Sequence, residues 1–147
     1  MTDEELMRCV EAGTVPAGGF HHAQHVRAAW NYVTRCALPE ALERFCSALK
    51  RFAEAQGKPD LYHATITVAY LLLINERVDR SSPEAWQDFA ARNADLLTWK
   101  PSILDRYYTA DTLSSDRARR RFVMPDRISA LDSNQDSSTA PSNPTYR

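Results

Sequence analysis

Residues 61–78, LYHATITVAYLLLINERV, constrain the fold more than any other stretch of this chain. Between positions 64 and 74 only two threonines interrupt an apolar run. A helix built from it has no polar face to offer water, so other elements must cover it on all sides. The β-branched residues would also suit a strand. The length of the run, the absence of glycine and proline, and the polar end NERVDR favour a helix. The run is far shorter than the ~20 apolar residues a membrane-spanning helix needs.

The flanking segments carry helical signals of their own. Thr2 and Glu5 have capping-box spacing, Leu6, Met7 and Val10 follow at helical steps, and Gly13 is a natural stop. A second helix is expected from about His21 to Cys36. In the third, Pro39 stands in the first turn and Leu38, Leu42, Phe45, Leu49 and Phe52 form an apolar stripe, ended by Gly57 and Pro59. Ser82 is placed to cap PEAWQDFAARN. A bend at Pro101 and a short helix follow, and TLSSDRARRRFV reads as a last helix. The expected fold is all-α: about six helices in a compact bundle around residues 61–78. Residues 1–128 form the expected single domain. The Ser-, Asn-, Asp- and Pro-rich residues 129–147 form an expected disordered tail, too polar to offset its ordering entropy.

Composition excludes several function classes. The formal net charge of −1 supplies no general attraction to nucleic acid or an anionic membrane. The arginines of DRARRRF are flanked by Asp105, Asp111, Asp116 and Asp126, as on a solvated helix face. Cys9, Cys36 and Cys46 are odd in number and lack CxxC spacing, which fits a reduced, cytoplasmic chain. The acidic, amphipathic N-terminus does not resemble a secretory signal.

All four histidines fall at the starts of two apolar segments: His21, His22 and His25 in FHHAQHVRAAW, and His63 in LYHATIT. His22 and His25 are three residues apart and share a helix face, the apolar one. A buried imidazole needs partners for its nitrogens, because an orphaned polar group costs about 1–3 kcal/mol. A divalent metal (zinc, iron or copper) bound by His22, His25 and His63 meets that need. Hydrogen-bonded core histidines meet it equally, and HxxH alone is a weak motif. His21 lies about 100° further round the helix, outside the set or at its edge. Asp60, three residues before His63, is a candidate ligand, helix cap or outer-sphere carboxylate. Thr67 and Tyr70 continue the face of His63 and could bind a ligand or satisfy themselves locally. Trp30, Trp99, Tyr107 and Tyr108 could wall a pocket or fill the core. Arg27 or Arg119 could fix a carboxylate or phosphate, or serve the surface.

Three stretches together, GGFHHAQHVRAAW, GKPDLYHATITVAYLLLINER and DLLTWKPSILDRYYTADTLSSDRARRRFVMPD, resemble a family of small uncharacterised bacterial proteins. Its pattern is approximately F-x-H-x-x-H-[LV]-R-x-A-W, Y-H-E-T-I-T, K-x-x-[LI]-x-x-x-Y-Y and A-R-x-x-F-V-x-P-D. The match runs over about residues 19–127. It implies a shared site at His22, His25 and His63 without naming a reaction. Thr65, Thr67, Tyr107, Tyr108, Arg119 and Asp126 also match, whereas Ala64 stands where the family tends to carry glutamate. The functional expectation is a small metal-dependent enzyme acting on a small molecule through a three-histidine site. The alternative is a non-catalytic ligand-binding or scaffold module using the same cavity. A homodimer is compatible with either.

Overall fold

The computed structural model describes residues 1–127, and the expected tail lies outside the described residues. Eight α-helices and two short 3₁₀ turns make up its regular structure, with no strand among the described residues. Helix α1 (Asp3–Ala12) starts in the expected capping box: Glu5 N–H donates to Thr2 Oγ1 at 3.1 Å and Thr2 N–H to Glu5 Oε2 at 2.7 Å. It stops at Gly13, whose φ of +71° is left-handed. A Cβ there would sit 2.8 Å from Ala55 Cβ, so glycine also lets the ends of the first and third helices meet. Gln56 closes that junction by donating to Gly13 O at 2.7 Å.

Helices α2 (His22–Arg35) and α3 (Leu38–Ala55) follow. Asp3 receives Arg27 Nε–H at 2.7 Å, fastening α1 to α2. Arg27 is thus a tie between helices. The α3 stripe is buried at Phe45 and Leu49 and extended by Ala41, Ala48 and Ala53. Leu38, Leu42 and Phe52 are only half-buried; Phe52 faces a cavity described below.

Helix α4 (Ala64–Arg77) packs against α2, α3 and the C-terminal segment, and no side chain at positions 64–75 is fully exposed. Its N-terminal turn is clasped by that segment. Thr65 Oγ1 lies 2.7 Å from Ala118 O and 2.8 Å from Arg121 O, sharing its proton between them, and accepts Val123 N–H at 3.2 Å. Tyr108 O–H reaches Val123 O at 2.8 Å. The Asp126 carboxylate accepts Thr109 N–H and Oγ1–H, both at 2.9 Å.

The second half is more broken than its pattern suggests, which accounts for eight helices rather than about six. Helix α5 (Trp86–Arg92) starts later than Ser82 predicts, because Glu84 is drawn into an ion pair with Arg92 and Trp86 packs on Trp30 and Phe89. Asn93, its side-chain amide turned onto Phe89 O at 2.8 Å, breaks the chain before α6 (Ala94–Leu97). The arginine-rich stretch divides into α7 (Ala110–Leu113) and α8 (Asp116–Arg120), since Thr109 and Ser115 each cap a separate start. No described helix is long and apolar enough to cross a membrane. Cys9, Cys36 and Cys46 are free thiols.

Phe45 is 2% exposed and packs on Tyr32 with ring centroids 5.6 Å apart. Phe45→Ala is expected to destabilise the fold by about 3–5 kcal/mol in denaturant unfolding, as large-to-small core changes do. A cost below about 1 kcal/mol would place that face of α3 at the surface.

Candidate functional site

A cavity of about 710 Å³ opens where α2 and α4 begin and α3 ends. That size suits a small organic ligand. Phe20, Val26, Ala29, Phe45, Leu49 and Phe52 supply much of its apolar wall. All four histidines line it, although they come from two segments about forty residues apart in sequence. The i, i+3 spacing of His22 and His25 turns both rings inward, and the N-terminal position of His63 on α4 brings it to the same space.

The four imidazoles are held differently. His22 Nε2 lies 2.8 Å from Leu96 O. A carbonyl only accepts, so Nε2 carries the proton and Nδ1 is left free. The ring packs edge-on against Tyr70 and beside Trp99, both with centroids at 4.9 Å. His63 uses both nitrogens on backbone: Nε2–H donates to Leu113 O at 2.7 Å, and Nδ1 accepts Ile66 N–H at 3.1 Å as the cap of α4. His25 packs on Phe20 with centroids 4.1 Å apart, and neither of its ring nitrogens has a hydrogen-bond partner among the described residues. His21, the N-cap residue of α2, is exposed at the rim, with its ring folded over Gly19.

Burial depresses the pKa of His22, against the opposing pull of the Leu96 carbonyl. His63 is lowered by burial and, more weakly, by Arg119, against the Leu113 carbonyl. The largest effect falls on His25, brought down to about 4 by burial and then by the neighbouring His22 and His21. A buried cation without a counter-ion is costly, so this ring is neutral at neutral pH.

Among the described residues no three His, Cys, Asp or Glu side chains stand together as a metal-binding group. The physical reason is clearest at His63, whose nitrogens both serve the backbone. Asp60 does not line the cavity; its carbonyl, rather than its carboxylate, is engaged, receiving Arg119 Nη1. Arg119 does line the cavity, as do Thr67 and Tyr70. The Thr67 hydroxyl bonds its own preceding turn at His63 O, at 2.8 Å, and the Tyr70 hydroxyl pairs with Ser102 Oγ at 2.7 Å. Trp30 belongs to the core instead, 6% exposed, with ring centroids 5.7 Å from Trp86 and 6.1 Å from Phe89. Tyr107 is also outside the cavity; it is exposed, and its carbonyl receives the N–H groups of Asp126 and Arg127. Phe20, Tyr62 and Lys58 are lining residues that sequence reasoning missed. Phe20 and Tyr62 each directly precede a histidine, which was the available signal; Lys58 had none.

Compared with known proteins, the chain matches no family model, no curated protein and no solved structure.

The lowered histidine pKa values give a signed expectation. Between the ordinary value near 6.5 and the folded value near 4, the unfolded chain binds a proton that folded His25 refuses. Stability therefore falls on acidification through that window, by on the order of 2–3 kcal/mol from this residue. Unfolding midpoints measured from pH 7.5 down to about 4.5 should decline, and His25→Gln should flatten the decline. A wild-type midpoint indifferent to this range would show that His25 titrates normally.

Proposed function

We propose that this chain is a helical small-molecule-binding module whose ligand occupies the cavity between α2, α3 and α4. One observation carries the reading: a mostly apolar space of about 710 Å³ contains the His25 imidazole, whose ring nitrogens have no hydrogen-bond partner among the described residues. Structural histidines are paired, as His63 is. An unpaired one at a cavity wall is suited to meet a polar atom of a ligand. Being neutral, it can donate one hydrogen bond and accept another, or take a proton from a bound molecule. Trp99 and Tyr70 offer flat aromatic surface next to His22.

A metal-dependent variant is the second reading, favoured by one specific feature. His22 donates Nε2–H to a backbone carbonyl and keeps Nδ1 free, the arrangement that orients metal-ligating histidines. Together with His25 it would offer two nitrogens on one helix face to zinc, iron or copper, with His63 outside the set. The motif resemblance to small bacterial proteins is compatible with either reading.

Thermal unfolding against a panel of small apolar and amphipathic molecules tests the main reading. A ligand present at a hundred times its Kd should add about 2.7 kcal/mol of stability. Ile66→Trp, which adds bulk at the half-buried cavity wall, should abolish the shift while leaving the circular dichroism spectrum unchanged. A panel without any stabilising member would sink the proposal. Metal analysis of tag-free protein separates the two readings. The second requires bound metal that drops in His22→Ala and His25→Ala but not in His21→Ala.

A further inference from the structure

The cavity lining has a marked charge bias. Its twenty residues include Lys58 and Arg119 but no aspartate or glutamate, although acids number 19 and Lys plus Arg 18 in the whole chain. Arg119 is half-buried and held in place by the Asp60 carbonyl, a neutral partner that leaves its charge uncompensated. Neither Arg119 nor Lys58 forms an ion pair with a carboxylate among the described residues, whereas Arg27, Arg35, Arg44, Arg77, Arg92 and Arg120 all do. Arg8, Arg51, Arg80, Arg106, Arg117, Arg121 and Arg127 also lack a carboxylate partner among the described residues, but of these unpaired arginines Arg119 is the one that lines the cavity. The two long helices that start at the cavity show the same bias. Neither α2 nor α4 carries an acid in its first turn, while every other α-helix described does. Their positive ends are thus not offset by side chains.

We infer that the cavity takes an amphipathic carboxylic acid: a hydrophobic body lodged among Phe20, Phe45, Leu49 and Phe52, and a carboxylate received at the rim by Arg119 and Lys58. The guanidinium suits the planar carboxylate, and its remaining N–H donors can meet both oxygens. Lys58, exposed at the rim, adds charge without fixing geometry. The apolar wall sets the other half of the specificity, since a small hydrophilic anion would leave it uncovered. The inference rests on the reading of this cavity as a ligand site and adds the chemical class of the ligand.

A matched series separates the two claims. The protein is titrated calorimetrically at low salt and pH 7.5 with 4-phenylbutyrate, 4-phenylbutan-1-ol and 4-phenylbutylamine, which share a hydrophobic body and differ in the head group. The acid should bind at least about tenfold more tightly than the alcohol, a difference of about 1.4 kcal/mol, and the amine should bind most weakly. Added salt should weaken the acid and leave the alcohol unchanged. Arg119→Gln should remove most of the acid's advantage without altering the alcohol's affinity. Because Arg119 also braces Asp60, Lys58→Gln at an exposed position serves as the second variant, and it should reduce the same advantage with the fold intact. Should the alcohol or the amine bind as tightly as the acid, or both variants keep the full preference, the carboxylate assignment is wrong while the ligand site stands. Should none of the three bind at millimolar concentration, or should all bind Ile66→Trp unchanged, the cavity reading itself fails and the inference with it.

Discussion

The structure depends on how the first turn of α4 is held. This helix has no solvent-facing side over most of its length, so its position must be set by what surrounds it. His63 and Thr65 do much of that work at its N-terminus. His63 caps the helix with one ring nitrogen and binds Leu113 O with the other, and Thr65 binds two carbonyls and one N–H of the last segment. These contacts bridge about fifty residues of sequence, and they satisfy polar groups that would be costly if buried alone. Tyr108 and Asp126 fasten the same segment from its other side. Much of the motif set that first suggests a reaction centre is therefore a fastening of the chain's end to its buried helix.

The cavity follows from this arrangement. With α2 and α4 beginning at one place and α3 ending there, side chains at the junction wall a space more than they fill it. Phe52 is only half-buried and Phe20 leans on both it and His25. An apolar wall of this kind depresses imidazole protonation, most strongly at His25, whose ring has no hydrogen-bonded anchor among the described residues.

Legibility varied along the chain for identifiable reasons. The capping box of Thr2 and Glu5, the stop at Gly13 and the burial of Phe45 and Leu49 were readable because each is settled within a few residues or by the period of a single helix. The start of α5 was not. Ser82 and Pro83 make a plausible cap, but the Glu84–Arg92 pair and the packing of Trp86 outweigh that local preference. Asn93 and Ser115 were similarly ambiguous, since both residue types occur within helices and at their ends. At the site, the inward turn of His22 and His25 was legible from their spacing. The backbone partners of His63 were not, because Leu113 is fifty positions away. Nothing local distinguished Trp30, which fills the core, from Trp99, which lines the cavity.

By itself, the sequence determined the helical class, the polarity of each early helix face, the burial of residues 64–75 and the gathering of imidazoles on inward-facing positions. These follow from periodicity and from the cost of exposing apolar surface, both expressed within one helix. Only the tertiary structure decided what each imidazole does. Spacing can aim a ring inward, but whether its nitrogens find a carbonyl, an N–H or no partner depends on segments distant in the chain. Leu96 meets His22, Leu113 and Ile66 meet His63, and among the described residues no protein group meets His25.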